Sequence, residues 1–350
     1  MKKFFISILM PIFLISCSDH FYLEEEHLSE ESRYDSPLPE EPEERLKEIK
    51  VLLIGNSFTE DAFSYVPSLF SEGAPEVDFV FGIAYRGGSC LADHYASLTN
   101  SEITIGNSSF KPDAYVFNVS TNTAISWERS WGLSITDILT YTDWDIITFQ
   151  QGGAHAAFDY GTYYEPFLEP LINLVKENTS YDTKIGWVSI HGCYHISDVG
   201  LRERWYDTTV NTRNVMENND ISLLFPFGTA VQNLRDCVFI ENKADNLGWM
   251  VDNGHLQDGL GCLTAAYANT LVLLDYCNYS PQNLTFEFVP TAENLIELNI
   301  PGMQLGENGV VGICPDYCEA GLEAAKAAVR APYVVTNIED MLGIDTPMAD

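Results

Sequence analysis

Beyond residue 48 the chain alternates short, unbroken apolar runs with stretches whose apolar residues recur at helical spacing. Lys50-Val51-Leu52-Leu53-Ile54 reads as a first strand, followed by a helix over 60–71, and Val77 to Ile83 reads as a second strand. A third, Asp145-Ile146-Ile147-Thr148-Phe149, precedes a helical pattern through Phe167, Leu168, Leu171, Ile172, Leu174 and Val175. Lys184 to Ile190 and Ile221 to Phe225 supply two more strands, with helices expected near Arg202 to Met216, Thr229 to Arg235 and Leu263 to Leu274. Strands that are apolar at every position need cover on both faces, which is the mark of a parallel sheet between helices. Right-handed crossovers then predict a three-layer α/β/α sandwich with a parallel central sheet. Residues 101–132 read as an inserted hairpin, and 280–316 as added β or loop structure before an Ala-rich helix from Ala320 to Arg330. The span 49–350 is therefore expected to be one domain with two insertions.

The first 48 residues follow a different pattern. Lys2 and Lys3 precede an apolar run from Phe4 to Ile15, too short for a transmembrane helix of roughly twenty residues and suited to a signal peptide. The run ends in Leu14-Ile15-Ser16-Cys17, which resembles a bacterial lipobox, so 1–17 is expected to be a lipoprotein signal and Cys17 the lipidated residue. Residues 18–48 then carry twelve acids against three bases, with Pro37, Pro39 and Pro42 among them. Such a segment has too little apolar surface to offset its ordering entropy and is expected to be a disordered tether. The implied setting is an exported, membrane-anchored protein in the periplasm or at the cell surface.

Charge narrows the partners. A formal net charge of −33 argues against nucleic acid, whose phosphates require Lys and Arg. It also disfavours strongly anionic polysaccharides. Of the eight cysteines, Cys314 and Cys318 could close a small disulfide loop in an oxidising compartment. They lack the further ligands of a zinc site, and His191 and His195 fall on a loop, so neither a metal nor another cofactor is expected.

The chemistry-bearing residues sit where a parallel sheet gathers ligands, at the carboxyl ends of its strands. The first strand runs into Gly55-Asn56-Ser57-Phe58-Thr59. A serine on a strand-to-helix turn presents its hydroxyl and lies near backbone N–H groups that favour negative charge. Far along the chain stands Val251-Asp252-Asn253-Gly254-His255-Leu256. An Asp and a His three apart on one loop allow the carboxylate to orient the imidazole towards a serine. A first-strand Gly-x-Ser with a late Asp-x-x-His resembles the SGNH (GDSL-like) hydrolase superfamily over most of 49–276, in particular a branch of exported bacterial lipoproteins of undefined substrate.

The resemblance implies a Ser57–His255–Asp252 triad. It also implies an oxyanion hole from the backbone of Ser57 and of Gly88, in Arg86-Gly87-Gly88-Ser89-Cys90-Leu91, with Gly87 as the neighbour that could take its place. Where the family usually carries Gly-x-Asn-Asp, this chain has Phe149-Gln150-Gln151-Gly152-Gly153, so a Gln amide is expected to replace the Asn, with Gln151 preferred. Asn56, Gln150, His94 and His155 are candidates for substrate contact, although a structural hydrogen bond suits His94 better. Trp127, Trp131, Tyr163, Tyr164 and Trp205 offer rings for sugar stacking or for packing. The expected activity is ester hydrolysis, with an acetyl group on carbohydrate as the expected substrate by compartment and family analogy. A lipase or thioesterase, and a non-catalytic carbohydrate-binding lipoprotein on the same fold, are the alternatives.

Overall fold

The computed structural model describes residues 45–180, 182–194, 197–237, 240, 254–280, 284–285, 287–294, 313, 315–339 and 341–343. The expected signal peptide, Cys17 and most of the acidic segment lie outside them, as do Asp252, His195, Cys314 and most of 280–316. Among the described residues no helix is long and apolar enough to cross a membrane.

A seven-stranded sheet forms the middle layer. Its strands are β1 (Glu48–Gly55), β2 (Asp78–Tyr85), β5 (Tyr115–Thr121), β6 (Ala124–Leu133), β7 (Ile146–Gln150), β8 (Lys184–Val188) and β9 (Leu223–Phe225), in the order β6-β5-β2-β1-β7-β8-β9. β1, β2, β7, β8 and β9 are parallel, whereas β5 and β6 form an antiparallel hairpin on the β2 edge. A second small hairpin, β3 (Ile103–Ile105) with β4 (Ser108–Phe110), precedes it. Residues 101–132, expected as one inserted hairpin, lie in two hairpins, one of which widens the main sheet. Glu48 already belongs to β1, so the acidic segment expected to reach residue 48 ends sooner.

Parity along the strands explains the layers. Val51 and Leu53 of β1 enter a cluster with α1 (Ser57–Phe63), α2 (Val66–Gly73), α8 (Phe227–Asp236), α9 (Leu260–Tyr276) and α10 (Pro315–Arg330). Leu52 and Ile54 enter the opposite cluster, with α3 (Leu91–Thr99), α4 (Ile135–Leu139), α6 (Glu165–Asn178) and α7 (Asp198–Asn218). A four-residue turn of helix, α5 (Tyr160–Tyr163), leads into α6. Burying an apolar side chain on either face contributes about 1.5–3 kcal/mol, so a one-residue slip of β1 would be strongly opposed.

One expected helix is two. α1 stops at Phe63, and Pro67 near the start of α2 cannot donate a backbone hydrogen bond, so a single helix over 60–71 is excluded. The parallel strands run in the order β2-β1-β7-β8-β9. Strands are therefore added on one side of β1 first and on the other side from β7 onward, and such a switch point opens a crevice at the carboxyl ends of these two parallel strands.

Candidate active site

Ser57, the first residue of α1, sits half-buried at that crevice. Its turn is held by Asn56, an N-cap with an extended backbone whose Oδ1 accepts the Phe58 N–H at 2.9 Å and the Gln150 Nε2–H at 2.6 Å. Asn56 Nδ2 donates to the Ser89 carbonyl at 2.7 Å, and Thr59 Oγ1 donates to Gln150 Oε1 at 2.5 Å. One buried carboxamide thus binds together the ends of β1 and β7 and the loop after β2. The Asn56 carbonyl accepts from Thr59 and Glu60, so the Ser57 N–H is the first-turn donor these caps do not use.

The glycine loop lies alongside. Gly88 has φ +65°, a left-handed conformation that favours glycine, and a Cβ there would meet nothing within 4 Å. A Cβ on Gly87 would come within 3.0 Å of the Tyr85 hydroxyl. Arg86 fastens the loop by donating to the Asp93 carbonyl and Ser97 Oγ, each at 2.7 Å, and to the Lys111 carbonyl at 2.6 Å. The loops after β2 and β7 approach so closely that a Cβ on Gly152 would lie 2.5 Å from the Ser89 carbonyl.

His255 reaches the site from the segment that leads into α9. Its Nδ1 lies 2.8 Å from Asp61 Oδ2, and the same oxygen accepts the Leu256 N–H at 3.2 Å. Asp61 stands four residues after Ser57 on α1, so both side chains share one helix face. The imidazole also lies against the turn that carries Ser57, its ring centroid 5.3 Å from that of Phe58. Burial pulls the His255 pKa down, but the Asp61 hydrogen bond and the charges of Asp61, Asp258 and Glu60 outweigh it, leaving a net rise. Asp61 was not singled out in the sequence. Its signal was a Ser and an Asp at helical i,i+4 spacing with the acid between the apolar Phe58 and Ala62.

The peptide before His255 is fixed as well. Gly254 has φ +71°, and a Cβ there would lie 2.8 Å from the Cys193 Cβ. Its carbonyl accepts from His191 Nε2 at 2.7 Å. Burial, with the nearby Arg235 charge, pushes the His191 pKa down to about 3, so this imidazole stays neutral and donates from Nε2.

Other sequence candidates serve different ends. The Gln151 amide does not take the expected oxyanion position: Nε2 donates to the Tyr163 carbonyl at 2.7 Å, while Oε1 accepts from Leu91 at 3.1 Å and Gly152 at 3.0 Å. Gln150 is the carboxamide tied to the turn that carries Ser57. His94 is buried, with Nε2 3.1 Å from Ser89 Oγ and Nδ1 2.8 Å from the Tyr115 hydroxyl, and burial lowers its pKa to about 3. These are the contacts of a structural histidine, supporting the loop that carries Gly88. His155 is half-buried and stacks on Tyr163, with Phe110 and Phe158 edge-on. Cys90, Cys193, Cys262 and Cys277 are buried thiols, and burial pushes Cys193 up to about 12, so it is no nucleophile at neutral pH. Among the described residues no group of acids, histidines and cysteines is arranged to hold a metal ion.

Residues 50–280 match DUF4886, a domain of unknown function. No curated protein matches the chain. The fold is similar to that of a crystallised DUF4886 family protein from Bacteroides uniformis ATCC 8492, at 22% identity and a TM-score of 0.60, covering 84% of this chain and 99% of that one. Weaker matches include a candidate SGNH hydrolase from Slackia heliotrinireducens (18% identity, TM-score 0.37, 65% and 97% covered). Another is an acetylxylan esterase from Geobacillus stearothermophilus (14% identity, TM-score 0.38, 67% and 95% covered).

Proposed function

From the premise that this chain belongs to the DUF4886 family, we propose that it is an exported serine esterase that removes an acyl group, acetyl by preference, from carbohydrate. The observation that carries the reading is the Asp61–His255 contact of 2.8 Å on the helix that begins with Ser57, at the switch point of the sheet. A carboxylate on Nδ1 fixes the tautomer with its proton there and leaves the Nε2 lone pair as a base.

In the proposed reaction Ser57 Oγ attacks the acyl carbon as His255 Nε2 takes its proton. The negative charge developing on the carbonyl oxygen meets the N–H groups of Ser57 and Gly88. The tetrahedral adduct collapses to an acyl-serine, and the imidazolium gives its proton to the departing alcohol. Water then attacks the acyl carbon, its proton passing through His255 back to Ser57 Oγ, and the carboxylic acid leaves. Asp61 balances the imidazolium charge in both halves. Asp252 remains the carboxylate implied by the SGNH resemblance, and Asp61 is the one whose contact supports the assignment.

Labelling with a fluorophosphonate tests the nucleophile without knowledge of the ester. Ser57 is expected to carry the label, and Ser57→Ala to lose both labelling and hydrolysis of 4-nitrophenyl acetate while its melting profile stays that of the parent. Undiminished labelling of Ser57→Ala would refute the assignment.

A further inference from the structure

The hairpin added to the sheet edge does more than widen it. β6 runs parallel to β1, and α1 returns antiparallel to both, so residues on the inward face of β6 step along α1 in reverse. Two rungs of this ladder are direct contacts. Trp127 Nε1 donates to the Ser64 carbonyl at 3.2 Å. Arg129 Nη2 donates to Glu60 Oε1 at 2.8 Å, and Nε to Asn118 Oδ1 at 2.8 Å; Asn118 Nδ2 in turn donates to the same Glu60 oxygen. Two residues of strand advance about 6.7 Å and four residues of helix about 6 Å, so the spacings agree. The next inward position, Trp131, therefore comes level with residues 56 and 57, where α1 begins.

Helix cover ends at that level. Trp127 and Arg129 are half-buried, whereas Trp131 is 71% exposed. Its ring centroid lies 5.5 Å from the Arg129 guanidinium carbon, which is itself 6.0 Å from the Tyr85 ring. The register Gly55↔Tyr85↔Val116↔Trp131 puts Trp131 three strands from the nucleophile turn, about 14 Å at strand spacing. Arg129 cannot swing across this ring, because its guanidinium is held by Glu60 and Asn118. The result is an exposed aromatic ring beside a fixed cation, at the height of Ser57.

We infer that Trp131 is a stacking platform for a sugar ring of the substrate, engaging the carbohydrate chain at a distance from the ester that Ser57 cleaves. The inference rests on the carbohydrate-ester reading above and names where the carrier binds. A sugar presents an apolar C–H face to an indole and hydroxyls to Arg129, which lies two residues away on the same face of β6, and this matches the mixed surround. A long acyl chain would need a continuous apolar channel, but Trp131 is flanked by Ser130 and Gly132 and faces a guanidinium. The span from Ser57 is that of a short oligosaccharide rather than of a single acetylated sugar.

Wild type and Trp131→Ala are compared on 4-nitrophenyl acetate and on chemically acetylated xylo- and cello-oligosaccharides of increasing length. The expected result is a fall of about tenfold in selectivity, kcat/KM for the longer oligosaccharide over that for 4-nitrophenyl acetate, carried by KM. Trp131→Tyr, which keeps a ring, is expected to restore most of it. Binding is read separately by calorimetry with Ser57→Ala in place of the active protein. Oligosaccharide binding that disappears in Ser57→Ala/Trp131→Ala supports the platform even if no ester is hydrolysed, in which case the esterase reading alone fails. Equal selectivity in wild type and Trp131→Ala, or no oligosaccharide binding or hydrolysis by any variant, overturns it. So does a Trp131→Ala effect confined to sedimentation, which would mark the ring as a self-association contact.

Discussion

Asp61 and His255 are 194 residues apart in sequence and 2.8 Å apart in space, and their contact sets how the site should respond to pH. Burial works against protonated His255, while the Asp61 hydrogen bond and the surrounding acids work for it and prevail. A raised folded-state pKa means that protonation stabilises the fold below the unfolded value of about 6.5, and that this contribution is lost as pH rises through the higher folded value. Catalysis has the opposite requirement, because only neutral His255 can accept the Ser57 proton. The acid limb of kcat/KM for 4-nitrophenyl acetate is therefore expected to have its inflection above 6.5 in the parent and at lower pH in Asp61→Asn. Plateau activity should drop as well, by up to about 10⁴-fold on the precedent of serine triads. An unmoved inflection would show that Asp61 does not govern the imidazole. Gly254 matters for the same constellation: its left-handed φ and its closeness to Cys193 leave no room for a side chain where the chain turns to deliver His255.

At the scale of elements, the site depends on strand ends being held in register by a few buried polar atoms. Asn56→Ala removes the cap of α1 and leaves the Gln150 amide and the Ser89 carbonyl without their partner. A lost cap costs about 1 kcal/mol and each of the two unsatisfied buried groups about 1–3 kcal/mol, so a loss of about 3–7 kcal/mol is expected in chemical denaturation. A change below 1 kcal/mol would show that the three segments are held by packing alone. The strands themselves were legible in sequence because β1, β7 and β8 are buried on both faces and so are written as continuous apolar runs. The turn from β1 into α1 was legible for a related reason, since an apolar run that ends in Gly-Asn-Ser before a helical pattern marks a strand-to-helix turn, whether its polar residues cap the helix or carry chemistry. The break between α1 and α2 was marked by Pro67 but masked by apolar periodicity on both sides. The roles of Gln150 and Gln151 were not legible, because two adjacent carboxamides look alike in sequence and differ only in which loop each one faces. Asp61 was hidden for a deeper reason: its partner comes from the far end of the chain, and a helix records the spacing of an acid but not what docks against it.

At the scale of the whole molecule, charge and attachment pull in different directions. The chain carries 51 acids against 18 bases, and twelve of the acids lie in 18–48, next to the proposed anchor. An anionic lipid surface repels such a protein, so electrostatic adhesion of the kind polybasic segments provide is closed to it. On the proposal that Cys17 is lipidated, retention comes from acyl chains whose insertion is driven by apolar burial of about 0.8 kcal/mol per methylene and does not weaken as ionic strength rises. The native protein is expected to stay with the membrane fraction through washes at high salt and to leave it in detergent. Cys17→Ser should appear in the soluble fraction at any salt concentration. The sheet and its site are built entirely from residues after 47, so Ser57 in that variant should still take up a fluorophosphonate. Retention of Cys17→Ser on membranes washed at high salt would mean that some other segment holds the protein there, and the lipid anchor would have to be abandoned.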